Sequence, residues 1–163
     1  MSVLRIESIE VGEHSIEALA RVTDPALMRT SSRPSLAEKA LSLLPDLARH
    51  RCDNDANKRF VDEMRDTETP HLLEHITVEL MALSGSPRNL PAHTEWDFAR
   101  DGKGVFRVVL DYDFDLLALR ALKDANTVVD WLFGEAPIPD IAEITANLLE
   151  IRRQDAHWSV STD

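Results

Sequence analysis

Apolar and polar residues alternate from the first residues, with Val3, Ile6, Ile9 and Val11 recurring, with slips, among Arg, Glu and Ser. A period near two predicts a strand. Gly12-Glu13-His14 then reads as a turn, with His14 simply exposed, and residues 16–22 as the second strand of a hairpin. Residues 26–34, rich in Ser, Thr and Arg, read as a loop. Ser35 with Glu38 has the form of a capping box opening a helix through about Leu44, which Pro45 kinks or restarts toward Arg49. The run Arg49-His50-Arg51-Cys52-Asp53-Asn54-Asp55 is a polar connector ahead of residues 58–64.

The period then changes. Thr69 can cap a helix, Pro70 suits its first turn, and Gly85 followed by Pro87 ends it. Leu72, Leu73, Ile76, Leu80 and Leu83 fall on one arc of that helix. With His71 set at 0°, His75 lies at about +40°, Glu79 at about +80° and Glu74 at about −60° on the other side. Downstream, residues 93–98 predict a strand with Trp96 and Phe98 on one side, and Arg100 to Gly104 a turn. Residues 105–112 give the clearest strand of the chain. Asp113 or Asp115 caps a long helix through Leu132, Asp140 caps a last one, and the tail from Gln154 to Asp163 is expected to fray. Two hairpins and two blocks of helices predict an α+β domain in 1–163, with residues 1–25 as the N-terminal hairpin. The sheet is antiparallel, of about four strands, with helices packed on one face.

Composition narrows the function. A formal charge of −11 over 163 residues opposes binding to a nucleic-acid backbone. One cysteine permits no internal disulfide and suits a reducing compartment. No apolar stretch approaches the length of a membrane span or a leader, so a cytoplasmic domain is expected. No phosphate-binding glycine loop or nucleophile elbow is present.

The chemistry concentrates on the helix from Thr69. His71 and His75, four residues apart, lie one above the other and can share a zinc ion, and Glu79 a turn further on can supply a third ligand. Glu74 is then free to act as general base toward water. His-x-x-Glu-His inside a good helix is therefore the candidate hydrolytic site. His93 and Glu95 are candidates to complete it from the sheet. His50 and Cys52 are ligand types two residues apart, a weaker signal. Arg49 and Arg51, with His50, are candidates for substrate contact, since guanidinium groups bind carboxylates.

From about Leu44 onward the chain resembles the N-terminal domain of cyanophycin synthetases. The residues that carry this are Leu44-Pro45-Asp46-Leu47 with His50-Arg51-Cys52, then His71 through Leu80 with Leu83-Ser84-Gly85, and Gly104 through Tyr112. Those synthetases join Asp and Arg using an ATP-grasp and a Mur-ligase-like domain, and 163 residues hold neither. The resemblance implies the remaining module, whose roles include polymer binding and, in some members, metallopeptidase-like cleavage. His71, His75 and Glu79 then map onto a metal site and Glu74 onto its base. Trp96 and its neighbours stand where the family pattern has Gly-Arg-Thr, a departure that leaves the substrate open; Trp96 is also a candidate substrate contact. Two readings follow: a zinc-dependent hydrolase of peptide or isopeptide bonds, with an Arg-containing polymer as candidate substrate, and a non-catalytic binding or assembly module. Neither requires a nucleic-acid or membrane partner, and both are compatible with a homo-oligomer.

Overall fold

A computed structural model describes residues 1–52 and 58–161, with the side chains of 155–161 excepted. The Asp53-Asn54-Asp55 part of the expected connector lies outside the described residues. Strands β1 (Leu4–Val11) and β2 (Ser15–Val22) form the first hairpin, and β3 (Ala92–Glu95) and β4 (Val105–Asp111) the second. The sheet order is β1-β2-β4-β3, antiparallel throughout. Alternation does what period two requires. Ile16, Ala18, Ala20 and Val22 of β2, with Phe106, Val108 and Leu110 of β4, are buried beneath the helices.

Among the described residues six α-helices complete the order: α1 (Leu36–Leu43), α2 (Phe60–Glu63), α3 (Thr69–Leu83), α4 (Phe98–Asp101), α5 (Asp115–Leu132) and α6 (Ile141–Ser161). A short 3-10 helix, Pro45–Arg49, follows α1. Helices α3 and α5 pack together and on the sheet, and their apolar residues join it in one core. None of the described helices is long and apolar enough to cross a membrane.

Several local expectations give way to tertiary partners. Glu68, not Thr69, occupies the cap position of α3, while the Thr69 hydroxyl donates to the Leu27 carbonyl at 2.6 Å. The Ser35 hydroxyl makes no cap bond, and Glu38 pairs with Arg65 instead. Phe114 caps α5, because Asp113 is drawn to Ser86 and Arg152. The strand expected over residues 93–98 stops at Glu95, since Asp97 accepts a bond from the Arg100 N–H and starts the one-turn α4. Asp140 does cap α6, accepting from the Glu143 N–H at 3.1 Å. That helix runs on through Ser161, past the point where fraying is expected.

A larger departure concerns α3. Its apolar arc is buried as the pattern requires, except Leu83, but Glu74, His75 and Glu79 on the other arc are at most 5% exposed. The helix is enclosed on both sides: sheet and α5 on one, and Phe60, His50, Arg88 and Thr94 on the other. The polar arc is therefore an interior site rather than a solvated surface.

Candidate metal centre

Two segments bring side chains to the polar arc of α3. The first comprises residues 50–52 and 58–60, joined by an isolated antiparallel bridge between Arg51 and Arg59. Within it the Cys52 N–H donates to the Lys58 carbonyl at 3.0 Å and the Phe60 N–H to the His50 carbonyl at 2.9 Å. These bonds fix His50 and Cys52 over the helix, with the Phe60 ring stacked on His75 at 3.8 Å. The second segment is β3, where Ala92 and Thr94 are half-buried. His93 and Glu95 point the opposite way and are exposed, so neither completes the site. Thr94 between them does reach it, donating to Glu74 Oε2 at 2.7 Å.

Cys52 Sγ, His71 Nε2 and His75 Nε2 converge, all within 4.8 Å of one another. The individual separations are 3.1 Å between the two nitrogens, 3.5 Å from sulfur to His75 and 3.8 Å from sulfur to His71. Zinc bond lengths set at tetrahedral angles would separate two imidazole nitrogens by about 3.4 Å and a thiolate from a nitrogen by about 3.6 Å. The three donors fit such an ion.

The surrounding hydrogen bonds support the same donor set. Thr67 Oγ1 lies 2.9 Å from His71 Nδ1 and 3.2 Å from Glu68 Oε2. With the hydroxyl donating to Glu68, it accepts from Nδ1–H of His71, and Nε2 is left as a lone pair. His75 Nδ1 lies 3.0 Å from His50 Nδ1, and His50 Nε2 lies 3.5 Å from Glu79 Oε2. With His50 Nε2–H directed at the carboxylate, His50 Nδ1 accepts from His75, whose Nε2 also becomes a lone pair. Two lone pairs then face each other 3.1 Å apart beside a sulfur, an arrangement that suits a cation between them. Outer partners that orient ligating histidines in this way are the usual companions of a metal site.

Glu79 therefore has a different place from the one its sequence position suggests. It does not join the Cys52, His71 and His75 donors. Its carboxylate accepts from Arg88 Nη1 at 2.7 and 3.2 Å and faces His50. Burial alone would raise its pKa, but the interactions with His50 and Arg88 bring it below the ordinary carboxylate range. The side chain that does join the two histidines is Cys52, from a segment that helical geometry alone cannot place.

Burial governs the other groups. It depresses the basicity of His71, and that of His75 far more strongly, with His71 and His50 adding to the effect on His75. It pushes the Cys52 thiol up to about 12, with Glu74 and Glu63 adding to the rise. The Glu74 carboxyl is lifted to about 7 by burial, against the lowering bond from Thr94. Glu74 Oε1 is 3.8 Å from His75 Nε2. Both residues line a cavity of about 380 Å³ that also receives Arg49, His50, Arg51 and Arg88. Trp96 is not among its lining residues; its ring packs on Phe106 at 5.5 Å.

A four-stranded α+β domain carrying a partly buried Cys-His-His triangle is thus the class of molecule that fold and site define. Residues 19–134 match the profile of the cyanophycin synthase-like N-terminal domain, and the chain belongs to that family. It is also 24% identical over 128 residues to a cyanophycin synthetase from Geminocystis herdmanii, a match covering 76% of this chain and 14% of that protein. The chain thus spans only a small part of the relative's length.

Proposed function

We propose that this domain is a zinc-dependent hydrolase of peptide or isopeptide bonds, with Cys52, His71 and His75 holding the ion and Glu74 as general base. The observation that carries the reading is the convergence of three donor atoms within 4.8 Å, next to a carboxyl lifted to about 7 at the wall of a cavity. A zinc ion bound there would act as a Lewis acid toward an amide carbonyl. Glu74, whose Oε1 faces His75, would take a proton from the attacking water and pass it to the leaving nitrogen. Thr94 holds one oxygen of Glu74 and leaves the other directed toward His75. Phe60, stacked on His75, excludes water from the rear of the ligand set. The name of the Geminocystis relative supports an Asp-Arg polymer of the cyanophycin type as the first substrate to try.

The test is zinc content of protein purified without added metal, followed by hydrolysis assays on Asp-Arg peptides and polymer. Near-stoichiometric zinc, lost in Cys52→Ser and His75→Ala, is expected. Glu74→Gln should retain zinc and lose turnover by at least a hundredfold. A wild-type protein that fails to hold zinc at micromolar concentration overturns the reading and leaves a binding module in its place.

A further inference from the structure

We infer that the cavity beside Glu74 is a carboxylate-binding subsite, with Arg51 and Arg49 as its cationic grip, so that the ligand it takes is a peptide carrying a carboxylate. Calling that ligand a substrate rests on the hydrolase reading; the binding itself does not.

Charge placement is the first argument. In a chain of net charge −11, three arginines, Arg49, Arg51 and Arg88, are among the residues that line one small cavity. They are not equally available. Arg88 is committed through Nη1 to both oxygens of buried Glu79. Arg49 meets Asp46 by a single contact of 3.5 Å between exposed groups, an ion pair that water exchanges readily. Arg51 has no ion pair or side-chain hydrogen bond among the described residues. Every other arginine has an acidic, carbonyl or aromatic partner, from the Arg29 pair with Asp66 to the contact of Arg33 with Phe133.

Geometry and shape supply the rest. Arg49 and Arg51 flank His50, and all three border the cavity. The planar donor fork of a guanidinium matches the paired oxygens of a carboxylate. The opposite wall is aliphatic, formed by Val78, Ala82, Leu90 and Ala92. A charged mouth over an apolar wall fits a short acidic side chain on a peptide backbone better than a bare anion, which would leave that wall wet.

The experiment is an NMR titration of the full chain, metal-free after chelator treatment and again zinc-loaded. The probes are N-acetyl-aspartyl-alanine amide, its asparagine counterpart, and inorganic phosphate at matched ionic strength. In metal-free protein, where a carboxylate cannot score by binding zinc, the aspartyl probe should bind about tenfold tighter than the asparaginyl one. Arg51→Gln should remove that preference, Arg51→Lys keep part of it, and Arg153→Gln on the remote surface leave it intact. A preference that is absent in wild type, or that survives Arg51→Gln, overturns the inference, as does phosphate binding more tightly than the aspartyl probe. The two readings fail separately. Aspartyl preference without zinc or turnover leaves the subsite standing and removes the hydrolase. Zinc-dependent cleavage indifferent to acidic residues does the reverse.

Discussion

Glu79→Gln is the most informative single substitution, because the sequence pattern makes Glu79 a ligand and the structure makes it the end of a relay. Gln keeps the size of the side chain and removes the charge that orients His50 Nε2–H. Arg88 loses a charged acceptor but is 45% exposed, so its guanidinium can recover hydration. The folding cost should therefore be about 1–2 kcal/mol, below the cost of a fully buried pair. His50 is then free to present either nitrogen to His75, and the correct tautomer at His75 is no longer enforced. Loss of such an outer partner lowers metal affinity by about 10–100-fold. Zinc affinity measured by competition with a chromogenic chelator gives the magnitude. Cobalt substitution gives the ligand set, since the thiolate-to-cobalt band of Cys52 should persist in Glu79→Gln and vanish in Cys52→Ser. Zinc affinity unchanged within threefold would refute the relay. Loss of metal as complete as in Cys52→Ser would show Glu79 to be a ligand after all.

Other expectations follow from particular contacts. Thr67→Val removes the acceptor for His71 Nδ1–H and should weaken zinc binding about tenfold with little change in folding, measured by the same competition. Phe60→Ala deletes a fully buried ring stacked on His75 and should cost about 3–5 kcal/mol in denaturant unfolding. Gly85→Ala places a side chain at φ +98°, where the new Cβ would meet Arg152 Nε at 3.2 Å and disturb its bond to the Ser84 carbonyl; a loss of about 1–2 kcal/mol is expected. The Asp113 carboxyl is raised by desolvation but brought below its ordinary range overall by bonds from Arg152 and Ser86. Its contribution is thus fully present above the unfolded value of about 3.9 and lost as pH falls through the folded one, so Asp113→Asn should destabilise at pH 7 and converge with wild type in acid.

The parts of the fold that period alone determines are legible without the structure: both hairpins, the span of α3 and its buried Leu72, Leu73, Ile76 and Leu80. The caps are less so. Ser35, Thr69 and Asp113 all have the right chemistry for a helix start, but each is decided by a long-range partner whose position a local pattern does not contain. The same limit applies at the site. A helical wheel correctly groups His71, Glu74, His75 and Glu79 on one arc, yet cannot tell which neighbour a side chain at its margin will meet. Arg88, nine residues on, captures Glu79. Cys52 reaches the histidines only because the Arg51–Arg59 bridge folds its segment back over α3. The available signal was the His50 and Cys52 doublet, two ligand types held one residue apart. Thr94 carried no signal, since a threonine in a strand is ordinary until Glu74 is found beneath it.

The burial of this polar arc links metal binding to folding. Desolvation favours the uncharged forms of Cys52, His71 and His75, and lifts the Glu74 carboxyl to about 7. Packing them inside costs hydration that an apolar arc would not have lost. A cation in the triangle would change the sign of that cost by converting the thiol to a thiolate ligand and satisfying two facing lone pairs. Stabilisation should then grow as the logarithm of free zinc above its dissociation constant, by about 2.7 kcal/mol at a hundredfold excess. Thermal unfolding over a series of zinc-buffered solutions reads this directly. The midpoint should climb steadily with zinc in wild type and in Glu74→Gln, climb later in Glu79→Gln, and stay flat in Cys52→Ser. A flat wild-type series would mean that the triangle is a packing arrangement and binds no ion.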